Sequence, residues 1–266
     1  MIRVFRDPEE LAAEAAEIFA DDARRAVADR GRLTVALAGG RTPVPLYREL
    51  ARREDEGSVA VPWERIHLLW GDERMVPPEH EESNFRMIRR ELLQHVPIPE
   101  INVHPMDPAG GSADAAARAY EAVLREVFDP PSREEGVGGG GAQAPARLDL
   151  VFLGLGKDGH TASLFPGCPA LEVHHRWVAS CDLETLDHPR VTLTLPILNR
   201  ARRILFLVTG EEKAEILRRV LEEETDLPAA RIDPGEGEVL WLVDEPAAKR
   251  LSPRLVREST SEGEHP

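Results

Sequence analysis

The chain has 266 residues, 42% of them hydrophobic and 30% charged, which fits a globular protein with a substantial core. A net charge of −15 argues against non-specific binding to nucleic acid or to a membrane surface. No apolar run approaches bilayer length and the opening MIRVFRDPEE has no signal-peptide core, so a cytoplasmic protein with neither partner is expected. In that compartment Cys168 and Cys181 are expected as reduced thiols. Lysine occurs only at 157, 213 and 249.

Taken in chain order, 8–30 reads as an alanine-rich amphipathic helix, and LTVALA at 33–38 as a buried strand running into Gly39-Gly40. IHLLW at 66–70 is a second strand, ending in Gly71-Asp72-Glu73-Arg74. A helix is predicted near 84–95, a short strand at 103–105 and a helix over 112–128. LDLVFLG at 148–154 and WVASC at 177–181 are strands, and the alternation of VTLTLP at 191–196 marks an edge or antiparallel strand. RILFLVTG at 203–210, a charged helix at 211–224 and EVLWLVD at 238–244 complete the pattern. Strands alternating with helices predict an α/β fold: one doubly wound, mostly parallel sheet with helices on both faces. No repeat or shift in composition divides the chain, so a single domain over 1–257 is expected. Within it 133–147 is a glycine-rich flexible loop, and 258–266 is a disordered tail.

The stretch VFLGLGKDGHTASLFPG at 151–167 places a histidine at the lip of a glycine loop. Gly154, Gly156 and Gly159 fit a dinucleotide fingerprint, with Asp182 about twenty residues on. That fingerprint needs a long helix directly after the loop, and Pro166-Gly167 stop this one after barely two turns. A nicotinamide cofactor is therefore disfavoured. Open α/β sheets bind ligands at the carboxyl ends of their strands. Four loops follow apolar strands there: 38–42, 71–74, 154–160 and 209–213. All four carry glycine, and they bring Arg41, Arg74, Lys157 and Lys213. Backbone N–H groups of such loops, with the helix N-terminus after Thr42, suit a small phosphorylated ligand. No local metal-binding motif is present, and Ser163 sits in no G-x-S-x-G elbow, so neither metal nor a serine nucleophile is expected.

At this point AGGRTPVPLY, LLWGDERMVPPEHEESNFRM, LDLVFLGLGKDGHTASLFPG and RVTLTLPILNRARRILFLVTGEEKAEILRRVL together resemble the 6-phosphogluconolactonase family, over roughly 33 to 245. The resemblance implies a Rossmann-like fold akin to that of the sugar-phosphate isomerases and deaminases. It also implies hydrolysis of 6-phosphoglucono-δ-lactone to 6-phosphogluconate, in the pentose phosphate pathway, with no cofactor. The first loop departs from the usual S-G-G-S-T: it reads Ala38-Gly39-Gly40-Arg41-Thr42, keeping the backbone donors and losing two hydroxyls.

Under that reading His160 is the general base that activates water, a task suited to imidazole. Asp158 either orients its ring or caps the helix that follows. The N–H groups of the Gly156–Gly159 loop are candidate oxyanion donors. Arg74 and Lys213, with Gly39, Gly40 and Thr42, hold the phosphate, and Arg41 adds charge or points into solvent. Asp72 serves as an acceptor holding Arg74 in place, and Asn84 caps its helix or touches substrate. Lys157 and the His174-His175 pair face solvent. Two rival functions are a hexosamine-phosphate deaminase or isomerase, which the GDER block disfavours, and a non-enzymatic sugar-phosphate sensor, which lacks a DNA-binding module here. A monomer or small homo-oligomer acting on a small phosphorylated sugar lactone is expected.

Overall fold

The computed structural model describes residues 1–58, 60–108, 111–128 and 146–255. It opens with a strand that the sequence reading passed over, β1 (Ile2–Phe5), and then the long helix α1 (Pro8–Arg30). The helix has both its ends built in. At the start the Asp7 side chain accepts from Glu10 N at 2.9 Å, and Glu10 in turn accepts from Arg6 N at 2.8 Å. At the end Gly31 takes φ +78° and donates to Val27 O at 2.9 Å, a conformation that favours glycine. Between them the alanines at 12, 15, 16, 23 and 26 are buried, and their small side chains let the helix lie close against the sheet.

The chain continues through β2 (Leu33–Leu37), α2 (Val44–Asp55), β3 (Ile66–Trp70), β4 (Asp72–Arg74), α3 (Asn84–Ile88), β5 (Val103–His104) and α4 (Ala113–Phe128). There follow β6 (Leu150–Gly154), β7 (Val178–Cys181), β8 (Arg190–Leu193), α5 (Leu195–Leu198), β9 (Arg203–Val208), α6 (Ala214–Glu222), β10 (Glu238–Asp244) and α7 (Glu245–Ala248). Seven strands form a parallel sheet in the order β1-β10-β9-β6-β2-β3-β5. Successive connections run outward from β2 through β3 to β5, then return to β6 and run the other way through β9 to β10. Because crossovers between parallel strands share one hand as a rule, the change of direction puts helices on both faces, which is the doubly wound arrangement read from the sequence. The reversal falls between β2 and β6.

The sequence reading did not separate a second sheet. β4, β8 and β7 form a small antiparallel layer beside the carboxyl ends of the central strands, with Asp72 opposite Thr192 and Arg74 opposite Arg190. The alternating 191–196 stretch is thus antiparallel, as expected, but it leaves the main sheet. The GDER segment is a strand rather than a loop. Two helices also differ. The one read over 84–95 is α-helical only to Ile88 and widens to π geometry over Arg89–Leu93. The one expected after the glycine loop does not form: residues 161–164 make a tight turn closed by a Thr161–Leu164 bridge.

Cys168 and Cys181 are joined in a disulfide, their Cα atoms 6.0 Å apart, against the expectation of free thiols. The turn at Pro166-Gly167 swings the chain back beneath β7 and brings the two together. The glycine-rich stretch at 133–147, apart from Ala146 and Arg147, and the tail at 258–266 lie outside the described residues. Among the described residues no helix is long and apolar enough to cross a membrane.

Candidate active site

At the reversal point between β2 and β6, the loops after both strands open onto a cleft of about 640 Å³. Its walls come from the 38–42 loop, the start of β4, Asn84, the 154–160 loop, Arg190 and Lys213, with Ala162, Phe165 and Leu186 as an apolar side. The structure therefore brings together all twelve residues singled out above, except that Gly159 lies behind the lining and packs against Leu227.

The glycine loop explains its histidine. Gly156 N donates to His160 O at 2.8 Å and Gly159 N donates to Gly156 O at 3.1 Å, with Gly159 at φ +85°. This winds the chain into a compact turn and lays the imidazole flat against Gly156, where a Cβ would meet His160 Nδ1 at 2.1 Å. Gly156 is glycine because the ring occupies the space of a side chain. The same bonds correct an expectation: the Gly156 and Gly159 N–H groups are consumed inside the turn and are not oxyanion donors. Ala162, next but one to the histidine, sits at φ +47°, the only described non-glycine residue in that region.

Asp158 settles between its two candidate roles. No helix follows for it to cap. Its Oδ1 lies 2.6 Å from His160 Nδ1 and also accepts from His160 N at 3.2 Å. The hydrogen bond from the ring holds this carboxyl below the usual carboxylate range, ahead of the opposing effect of burial. A carboxylate accepts from Nδ1–H, so the ring presents Nε2 as its basic nitrogen. Phe165, 4.2 Å from the ring centroid to centroid, backs the imidazole.

The GDER strand contributes differently from what was expected. Asp72 does not hold Arg74: its Oδ2 accepts from Ser163 Oγ at 2.6 Å, tying β4 to the turn after His160. Arg74 is held by the carbonyl of Glu82, to which its Nη1 donates. Glu73, passed over in the sequence, is the organiser. Only 2% exposed, it accepts from the backbone N–H groups of Arg74, Asn84 and Phe85 at 2.8–2.9 Å. Burial is the main reason that its carboxyl is pushed up. The cap of α3 is Ser83, which accepts from Arg86 N, so Asn84 is not a cap. Asn84 is 1% exposed, donates to Asp72 O at 2.9 Å, and leaves its buried Oδ1 without a partner. It crosses the face of Gly39, where a Cβ would meet that Oδ1 at 2.0 Å.

Cationic groups converge on the cleft. Lys213 donates to Leu155 O at 2.7 Å, and burial is the largest effect lowering its pKa, with Lys157 and Arg41 adding in the same direction. Lys157 and Arg41 are exposed yet stand in the cleft wall, so Lys157 is not merely solvent-facing. α2 starts at Val44 with no side-chain cap, and Tyr47 donates to Ala38 O at 2.6 Å to fix the loop before it. Gly40 holds φ +83° there. Arg190 was missed. It stands directly opposite Arg74 across the β4–β8 ladder, half-buried, with Nη1 lacking a partner, and burial followed by the charge of Arg74 lowers its pKa. Like charges opposite one another on a sheet destabilise it. Both arginines line the cleft, so the pair concentrates positive charge on one wall of it. The sequence signal was only one arginine beginning an alternating strand.

A family model described as glucosamine-6-phosphate isomerases/6-phosphogluconolactonase matches residues 6–241. A 6-phosphogluconolactonase of Synechocystis sp. is 44% identical over 232 residues, covering 86% of this chain and 89% of its own length. One from Rattus norvegicus is 40% identical over 263 residues, 98% of this chain and 97% of its own. Among solved structures, the 6-phosphogluconolactonase of Thermotoga maritima superposes with a TM-score of 0.75 at 32% identity, covering 92% of this chain and 99% of that one. With a match that spans every strand around the cleft, the chain belongs to the glucosamine-6-phosphate isomerase/6-phosphogluconolactonase family.

Proposed function

We propose that this protein hydrolyses 6-phosphoglucono-δ-lactone to 6-phosphogluconate with His160 as general base. The observation that carries the reading is the Asp158–His160 pair, 2.6 Å apart, set in a cleft ringed by Arg74, Arg190 and Lys213. His160 Nε2 takes a proton from water as the water oxygen bonds to the lactone carbonyl carbon. The carbonyl π-electrons move onto oxygen. When the tetrahedral intermediate collapses, the bond from carbon to the ring oxygen breaks, and that oxygen leaves as a hydroxyl with the proton from His160. Asp158 stays ionised and steadies the imidazolium between the two steps. Arg74, Arg190 and Lys213, with the N–H groups of residues 40–42 at the head of α2, hold the phosphate. Asn84 supports the Gly39 loop from behind.

The same reading makes the partner a small phosphorylated lactone, in the cytoplasm; the net charge of −15 speaks against nucleic acid and membrane as partners, and the cations of the cleft offset its repulsion of the phosphate. The test is proton release from freshly prepared phosphogluconolactone, with spontaneous hydrolysis subtracted, beside ammonia release from glucosamine 6-phosphate. Proton release by the wild type and none above background by His160→Ala is the expected result. Ammonia release with no lactonase activity would assign the cleft to deamination.

A further inference from the structure

Outside the cleft lining, three side chains from two distant segments meet. His80, Glu82 and His188 are all partly buried, and their ligating atoms lie within 4.8 Å of one another. The backbone assembles them. Beyond the Arg74–Arg190 rung, Met75 N donates to Pro189 O at 2.9 Å, which aligns the turn at 77–83 with His188. Within that turn His80 N donates to Pro77 O at 2.9 Å and Ser83 N to His80 O at 3.0 Å. Glu82 N donates to His80 Nδ1 at 3.2 Å, so without a metal that ring carries its proton on Nε2. His188 Nε2 lies 2.9 Å from Glu82 Oε2, and the two imidazoles meet edge to face at 5.6 Å.

We propose that His80, Glu82 and His188 bind a zinc-class divalent cation, with water in the fourth position. Two imidazoles and one carboxylate are a borderline donor set that suits zinc over magnesium or calcium. Tetrahedral zinc with bonds of about 2.0–2.1 Å needs its ligand atoms roughly 3.3 Å apart, so small side-chain rotations complete the site. His80 ligates through a nitrogen free of its proton, so the 3.2 Å contact from Glu82 N yields to the cation. Two arginines oppose a cation here: Arg74 donates to the Glu82 carbonyl, and Arg190 feels the Glu82 charge. A bound cation would neutralise Glu82 and leave Arg190 turned wholly to the cleft. It would also clasp the turn before Asn84 to the strand of Arg190. The site is thus a rim clamp beside the Arg74–Arg190 wall, separate from His160.

The test is zinc titration by calorimetry on wild type, His80→Ala/His188→Ala, Glu82→Gln and His160→Ala, with the half-buried His67–His104 pair as the competing imidazoles. The expected result is one equivalent bound at micromolar zinc by wild type and by His160→Ala, weakened by at least about tenfold in the other two variants. Cobalt should give a visible absorption band in wild type that the double variant lacks, and zinc should raise the unfolding temperature of wild type and of His160→Ala but not of the other two variants. Circular dichroism without metal checks that each variant is folded. Absence of stoichiometric binding, binding retained in His80→Ala/His188→Ala, or binding lost only in His160→Ala would each overturn the site.

Discussion

The contact between His160 and Gly156 makes two substitutions equivalent in effect and opposite in kind. His160→Ala removes the proposed base, and turnover should fall about 10²- to 10⁴-fold with little change in substrate binding. Gly156→Ala leaves the histidine in the chain but adds a Cβ that would lie 2.1 Å from its Nδ1 and so displaces the ring, and it should lose activity on a comparable scale. Steady-state kinetics with circular dichroism checks both; an active Gly156→Ala enzyme would mean that the ring works from another position. Arg190 offers a second test at this scale. Removing a charged hydrogen bond to phosphate should cost about 1.5–3 kcal/mol in kcat/KM. Arg190→Ala should show that loss on the phosphorylated lactone, little change on plain gluconolactone, and an unfolding temperature unchanged or raised, because the like-charge pair with Arg74 is gone. A falling unfolding temperature with equal losses on both substrates would make Arg190 a structural residue.

The elements around the cleft are held by a few buried polar groups. Glu73→Ala would strand the N–H groups of Arg74, Asn84 and Phe85, so it should cost at least about 2 kcal/mol in denaturant unfolding, with Glu73→Gln costing less. At the sheet edge His67 on β3 and His104 on β5 stack with Nδ1 and Nε2 3.1 Å apart. Burial, then His104 and Arg32, push the His67 ring down to about 4. The folded state therefore keeps it neutral where the unfolded chain protonates it. Its contribution is intact above about pH 6.5 and is lost as pH falls towards about 4. His67→Gln should flatten the decline of unfolding temperature over that window, and an unchanged slope would remove His67 as its cause. GDER shows why such an element resists reading: a three-residue strand has no period to detect, and its glutamate finds its partners eleven and twelve residues away.

For the molecule as a whole, the Cys168–Cys181 bond stands against a reducing cytoplasm. Thiol titration of the denatured, unreduced protein should find none free, and two after reduction; two free beforehand would mean that the pair stays open in the cell. Much else was legible in the chain alone. Hydrophobic period and glycine position are local properties, so most of the central strands, the long α1, the doubly wound class of the fold and the loops carrying Gly39, Arg41, Gly156, Asp158, His160 and Lys213 followed from the sequence. The tertiary structure alone decided what lies across from what. Arg190 became a site residue through its register with Arg74, and Asp158 became the partner of the His160 ring because the expected helix gave way to a turn. Asn84 gained its role by crossing Gly39, and His188 met His80 and Glu82 only through the β4–β8 ladder. These pairings depend on sheet register and on turns between segments far apart in the chain, and no pattern within any one segment encodes them.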